Sequence, residues 1–375
     1  MTPAETATEA IAKVGGDFID PPILIEAKVP LELSGEAVRS RICTFVDQNG
    51  LEWALRPDLT LVVAQSEVDV RISGPSGETV RRYCGPVFRL PSMTGEPVEY
   101  DQVGLEKFGA PRCVEQDVWL FTTLIDASRA CGVDSGFARF GDLSIFPAFV
   151  DALNVSPDIA AGLKRAFRQA GGVRAYLDGQ GSTRRGLSSR LSGMPRQDIA
   201  AFVDDIFAMT NVRPVGERGA DEIVDRLFER AKSAAGASLS GDQMHVLDTL
   251  LSLDVALHEA PEALTAIASD AAMKGLDDKL NRFRQRAEKL VSAAPVGFTK
   301  SARFATRFGR RFTYYDGFVF EVGPHDEGDS IARPFLAGGR YDSLLADLSG
   351  GAVDETALGG ILIPHRLPGQ TGANQ

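Results

Sequence analysis

The chain has 375 residues, 44% of them hydrophobic, and a formal charge of −11 at neutral pH. It can therefore bury one large core or two moderate ones, and its negative balance argues against general adhesion to nucleic acid unless a local basic stripe overcomes it. No apolar run approaches the roughly 20 residues that span a bilayer, and the four cysteines (Cys43, Cys84, Cys113, Cys131) and four histidines lack ligand spacing, so neither a disulfide framework nor a metal enzyme is expected.

The N-terminal "MTPAETATEAIAKVGGDFI" lacks a basic segment followed by a hydrophobic stretch, so a cytoplasmic protein is expected. Residues 20–110 alternate short apolar runs with turn signals such as "SGPSGE" and "SMTGEP", the pattern of an antiparallel sheet. Within them, "TFVDQNGLEWALR" alternates around Asn49-Gly50 and predicts a hairpin over 43–56. "LTLVVAQSEV" then begins a buried helix, with Pro57 fixing the backbone ahead of it. Asp58 sits between hairpin and helix and has two readings. Either it or Thr60 caps the helix by accepting a backbone N–H, or Asp58 belongs to a polar site, which needs other polar groups converging on it.

Candidates for that company follow along the chain. "RRYCGPVFRL" places Arg89 at the end of a strand-like run, and "EYDQVGLEKFG" places Tyr100, Gln102 and Glu106 at alternate positions. Period two puts alternate side chains on one strand face, and three polar ones there are unusual for a core. From about 112 the spacing becomes helical. Helical patterns dominate residues 156–294, including "DIAAFVDDIFAMT", "ADEIVDRLFERAKSA", "MHVLDTLLSL" and "DDKLNRFRQRAEKLVSAA", whose apolar face is Leu280, Phe283, Ala287 and Leu290. The loop 181–197 carries Arg184, Arg185, Arg190 and Arg196 and no acidic residue. It reads as a solvated linker more readily than as a phosphate- or RNA-contacting loop, because no aromatic interleaves the arginines. After Pro295 strand-like segments return, with Arg310, Arg311, Tyr314 and Tyr315 in "RRFTYYDGFVFE" and Arg340, Tyr341 and Asp342 in "GGRYD". Carboxylates, an amide, arginines and phenols together are what a pocket offers a zwitterionic small molecule.

In order and spacing, "PPILIE", "TFVDQNGLEWALRPDLT", "GPVFR", "YDQVGLEKFG", "YYDGFVFE", "GGRYD" and "ALGGILIPHRL" resemble the catalytic domain of class II aminoacyl-tRNA synthetases, and specifically of histidyl-tRNA synthetases. The resemblance implies an α+β fold, an antiparallel sheet flanked by helices, with sheet-forming parts at about 18–150 and 296–368 and a helical insertion at about 151–295. It further implies a histidine pocket. Asp58 would oppose the ammonium with Thr60 and Gln102 as hydrogen-bonding neighbours, and Glu106 and Tyr315 would hold the imidazole. Tyr314 and Tyr341 would line the pocket, and Arg89 and Arg310 would face the carboxylate.

The departures from the synthetase pattern are concentrated where ATP and tRNA are handled. Pro91 stands where motif 2 has an acidic residue, and motif 3 reads Ile363-Pro364-His365-Arg366 where Gly-x-Glu-Arg is usual. Arg310-Arg311-Phe312-Thr313-Tyr314-Tyr315 lacks the aspartate of the histidine-specific segment, and about nine residues follow motif 3, so no anticodon-binding domain is expected. Retained amino-acid recognition with lost activation resembles the regulatory subunits of ATP phosphoribosyltransferase, synthetase paralogues acting at the first step of histidine biosynthesis. That resemblance implies no catalysis by this chain, L-histidine as ligand with no cofactor, and feedback inhibition relayed to a short-form catalytic subunit. The implied assembly is a homodimer that enters a hetero-octamer, with no membrane partner and tRNA not expected as one. The alternatives are an amino-acid-adenylating paralogue and a degenerate histidyl-tRNA synthetase.

Overall fold

The computed structural model describes residues 1–74, 77–92, 94–169, 172–183, 194–210, 224, 239–309, 314–324 and 333–369. They form two units, Met1–Ala148 with Val246–Gln375 and Phe149–His245. In the first unit, α1 (Pro3–Ala12) opens with Thr2 and Glu5 bonded reciprocally across the first turn, a capping box with Pro3 preset for the helix. β1 (Asp17–Phe18) follows, then β2 (Leu24–Glu26), α2 (Lys28–Leu33), α3 (Glu36–Arg39), β3 (Thr44–Val46) and β4 (Glu52–Leu55). β3 and β4 are the expected hairpin. Its turn needs Gly50 at φ +83°, and the Asp47 carboxylate gathers the Asn49 and Leu51 amides and the Trp53 indole. These strands do not join the large sheet, contrary to the single sheet expected: β2, β4 and β3 form a three-stranded sheet of their own.

α4 (Thr60–Ser73) is the predicted buried helix. β5 (Thr79–Phe88) and β6 (Glu99–Phe108) then form a long antiparallel pair, followed by α5 (Val114–Ala130), β7 (Phe137–Asp142) and α6 (Ile145–Ala152). α7 (Pro157–Arg168), α8 (Gly172–Thr183) and α9 (Arg196–Thr210) belong to the second unit, where Ile199, Val203 and Val224 form a small core. α7 and α8 pack closely at Gly162, where a Cβ would overlap the Tyr176 ring. Arg184, Arg185 and Arg190 of the basic loop, and most of "ADEIVDRLFERAKSA", lie outside the described residues.

The remainder comprises α10 (Gly241–Ser252), β8 (Asp254–Ala256), α11 (Ala260–Asp270), α12 (Asp277–Ala293), α13 (Val296–Thr299), β9 (Arg303–Ala305), β10 (Phe318–Gly323), β11 (Leu336–Arg340), α14 (Leu344–Ser349) and β12 (Ala357–Leu362). Residues 246–295, expected within the insertion, cluster with the first unit, and β8 contributes a strand from inside that helix-rich stretch. α12 buries Leu280, Phe283, Ala287 and Leu290, the stripe read from its spacing.

The large sheet runs β1-β5-β6-β12-β11-β10-β7-β9-β8, antiparallel except at β1–β5 and β7–β9. The C-terminal strands β12, β11 and β10 insert between β6 and β7, so the two ends of the chain build one sheet. One face is covered by α5, where Phe121 meets Phe140 and Phe320 edge-on with ring centroids 5.0 Å from each. The other face carries α4 and the polar side chains described below. Phe320→Ala removes a fully buried ring from the sheet–helix contact and should cost about 3–5 kcal/mol, read as a lower urea midpoint for unfolding.

Candidate functional site

Alternation along β6 places Tyr100, Gln102, Gly104 and Glu106 on one face. Register carries that face across the sheet: Gly359 of β12 lies opposite Glu106, and Gly339 of β11 lies opposite Gly359. The glycine at 359 is required by the carboxylate, since a Cβ there would fall 1.5 Å from Glu106 Oε2. Glu106 is fully buried. Its Oε1 accepts hydroxyl protons from Tyr83 at 2.6 Å and Thr60 at 2.8 Å, and its Oε2 accepts one from Tyr341. A carboxylate has about four lone-pair sites, so Oε2 retains room for one more donor. Burial outweighs the three hydroxyls and pushes the carboxyl up to about 7. Tyr83 and Tyr341, themselves buried beside that carboxylate, are held well above the usual phenol range and remain donors.

Asp58 makes the capping bond of its first reading with one oxygen and leaves the other open. Oδ1 accepts the Leu61 amide at 3.0 Å in the first turn of α4, whereas Oδ2 is buried without a hydrogen-bond partner. Burial raises Asp58 above the ordinary carboxylate range against the pull of the Arg89 charge and the Leu61 amide. Gln102 is similarly half used: Oε1 accepts the Leu59 amide at 3.2 Å, and Nε2 is buried without a partner. Because Leu59 fixes the amide orientation, the open group of Gln102 is a donor and suits a ligand acceptor better than an ammonium. Thr60, expected beside the ammonium, commits its proton to Glu106 instead. Arg89 is buried and donates Nε to the Pro57 carbonyl at 2.6 Å.

Tyr314, Tyr315 and Tyr341 close the pocket as a ring cluster, with centroids 4.8 to 6.0 Å apart. Burial raises Tyr314 and Tyr315 above the ordinary phenol range, and the Glu106 and Asp58 charges add to that shift. Arg310 lies outside the described residues. The structure thus brings Asp58, Thr60, Arg89, Gln102, Glu106, Tyr314, Tyr315 and Tyr341 to one region of the sheet.

Sequence reasoning missed Tyr83 and Glu96. Tyr83 pairs with Gly104 across the ladder, so only the β5–β6 register reveals that it shares Glu106's face. Glu96 lies in the short loop after Pro91 and accepts Arg41 at 2.7 Å, Ser92, and Arg366 at 3.1 Å. The Arg366 guanidinium also sits 5.4 Å from the Tyr100 ring centroid, and the His365 ring lies 4.9 Å from the same ring. The arginine retained from motif 3 is therefore engaged with the chain's own carboxylate and phenol. Arg56, the first residue of the Arg-Pro-Asp turn, is fully buried and ties the Pro86 and Pro21 carbonyls, a structural part.

A family profile described as histidyl-tRNA synthetase matches residues 3–193 and 199–366. The ATP phosphoribosyltransferase regulatory subunit of Chelativorans sp. (strain BNC1) is 31% identical over 84% of this chain and 83% of its own length. That of Brucella anthropi is 27% identical over 88% and 87%. Among solved structures, an ATP phosphoribosyltransferase regulatory subunit/histidyl-tRNA synthetase from Bacillus halodurans superposes with a TM-score of 0.62 at 20% identity, covering 97% of this chain and 77% of that one. A histidine–tRNA ligase subunit from Alicyclobacillus acidocaldarius gives 0.55 at 22% identity, covering 97% and 90%. These two share the fold.

The buried Glu106 carboxyl makes stability depend on pH. With a native value near 7 against an ordinary 4.5, the folded chain holds a proton that the unfolded chain has released between those values. Stability therefore falls as pH rises through this window. Glu106→Gln removes that slope. Between about pH 5 and pH 8 the wild-type Tm should fall relative to the variant's by the equivalent of about 3 kcal/mol. Parallel profiles would mean that Glu106 is already ionised at the lower pH.

Proposed function

The chain belongs to the histidyl-tRNA synthetase-like family of ATP phosphoribosyltransferase regulatory subunits, and on that premise we propose that its pocket binds L-histidine and relays that occupancy to a catalytic subunit. The observation that carries this reading is the pair of buried, half-used polar groups, Asp58 Oδ2 and Gln102 Nε2, beside Glu106. Buried polar atoms without partners are costly, and a free amino acid supplies both missing partners. Its ammonium pairs with Asp58, and its carboxylate accepts from Gln102 and faces the Arg89 charge. The imidazole N–H takes the open site on Glu106 Oε2, with the three tyrosines around the ring.

Loss of amino-acid activation fits the same geometry. A nucleotide would need Arg366 for its phosphates and open space against Tyr100, and Glu96, Arg366 and His365 occupy both. This argument ranks an adenylating paralogue or a degenerate synthetase below the sensor. As a non-catalytic regulatory subunit, the chain activates a short-form catalytic subunit and inhibits it when histidine is bound. Linkage requires only that histidine bind the inhibited state of the complex more tightly than the active one.

Calorimetry should show L-histidine binding to the wild-type chain without histidine-dependent ATP–pyrophosphate exchange. Glu106→Ala should weaken binding roughly 10- to 150-fold, the loss expected for a charge-assisted hydrogen bond in a desolvated pocket. In the reconstituted complex that variant should still activate its partner and should escape feedback. Inhibition at the wild-type histidine concentration would place the sensor elsewhere, and clear exchange activity would restore the synthetase reading.

The small sheet and the N-terminal edge expose Phe18, Ile23, Leu24, Phe45 and Val46, and the first three belong to "FIDPPILIEA", the segment through which class II domains dimerise by resemblance. The isolated 40.2 kDa chain should scatter light as a dimer. A strict monomer at micromolar concentration would remove the proposed assembly.

A further inference from the structure

On the opposite face of the sheet, the first unit contains a cavity of about 370 Å³, within the size range of small-molecule sites. Alternation at the end of β11 explains its position. Tyr341 turns toward Glu106 on one face, while its neighbours Arg340 and Asp342 line the cavity on the other. The inner wall is an ion-pair chain in which every carboxylate is engaged. Asp342 holds Arg112 at 2.8 Å and Arg340 at 3.0 Å, Asp117 holds Arg340 at 2.9 Å and Arg286 at 3.0 Å, and Asp142 holds Arg286. Asp316 accepts the backbone amides of Asp342 and Ser343 at 3.1 and 2.8 Å.

The lining carries five cations, Arg112, Lys279, Arg282, Arg286 and Arg340, against four carboxylates, Asp117, Asp142, Asp316 and Asp342, and two of the cations make no direct ion pair among the described residues. Lys279 and Arg282 lie on the same face of α12 as Arg286, and no carboxylate among the described residues lies within ion-pair distance of either. Lys279 is half-buried, and its ammonium donates to the Ser144 hydroxyl at 2.7 Å. Arg112, bonded to Asp342 through Nε, adds a partly exposed guanidinium at the rim. Cys113 and Val114 bring the N-terminus of the 17-residue α5 to the same wall, where the Cys113 side chain makes no cap and Glu115 and Asp117 lie in the first turn. Phe283 and Phe318 supply an apolar floor beneath the Arg286 guanidinium. The excess positive charge is concentrated at Lys279 and Arg282, where forked and ammonium donors suit a phosphoryl group, and the aromatic floor leaves room for an organic group.

We propose that this cavity binds a phosphate dianion, as inorganic phosphate or as the phosphoryl group of a small phosphomonoester, independently of the histidine pocket. The full chain is titrated by calorimetry with inorganic phosphate and with phenyl phosphate at constant ionic strength. Saturable binding of at least one probe is expected, weakened about tenfold or more in the Lys279→Met/Arg282→Gln double variant. Arg282→Glu, at an exposed position, should weaken binding with unchanged circular dichroism and urea midpoint, so that the test does not depend on the half-buried Lys279. Tighter binding of phenyl phosphate assigns the ester, and equal affinity assigns the free ion. Absence of saturable binding by both probes, affinity unchanged in the variants, or displacement by L-histidine overturns the proposal.

Discussion

The pocket is organised around a carboxylate buried in the middle of a sheet. Glu106 receives hydroxyls from Thr60 at the start of α4, Tyr83 on β5 and Tyr341 after β11, three segments separated by up to 281 positions in the chain. An unpaired carboxylate at that depth would cost several kcal/mol. The surrounding elements must therefore arrive in one register: the β5–β6 ladder to present Tyr83, and the insertion of β12 between β6 and β11 to present Gly359 and, one strand further, Tyr341. Folding and the geometry of the pocket depend on the same set of contacts.

Most of the pocket was legible in the sequence because its signals are local or periodic. Asp58 follows Arg-Pro at a hairpin–helix junction, Gln102 and Glu106 share a strand face by alternation, and the α12 stripe repeats every three or four residues. Features set by pairing between distant segments were not legible. Tyr83 looks like any strand tyrosine until Gly104 is found opposite it, and Glu96 reads as a loop acid until Arg366 returns 270 residues later. The separate three-stranded sheet was missed for the same reason, since β2–β4 and β5–β6 carry similar patterns and only hydrogen-bonding partners distinguish their sheets. The short β8 has too few residues to show a period against its helical surroundings.

The altered motif 3 is more than an erosion of a nucleotide site. Arg366 is held from several sides, by Glu96, by the Pro334 carbonyl at 3.4 Å and by the face of Tyr100, and Glu96 is itself held by Arg41 and the Ser92 amide and hydroxyl. Burial together with the neighbouring Arg366 charge lowers His365 to about 4, so the imidazole is neutral at physiological pH and adds no charge to the cluster. The result is a set of ion pairs and ring contacts around Arg366 in which the Tyr100 hydroxyl and His365 Nδ1 remain buried without hydrogen-bond partners.

Arg340, Tyr341 and Asp342 give the sheet a property that its layered description does not convey. These three consecutive residues present their side chains to opposite faces, one phenol to the buried carboxylate and two charges to the ion-pair chain behind it. They share a backbone only two peptide bonds long, so the same few backbone angles set the position of the phenol and of both charges. The end of β11 thus ties the two faces of the sheet together, with one short stretch of backbone anchored by side chains in both compartments.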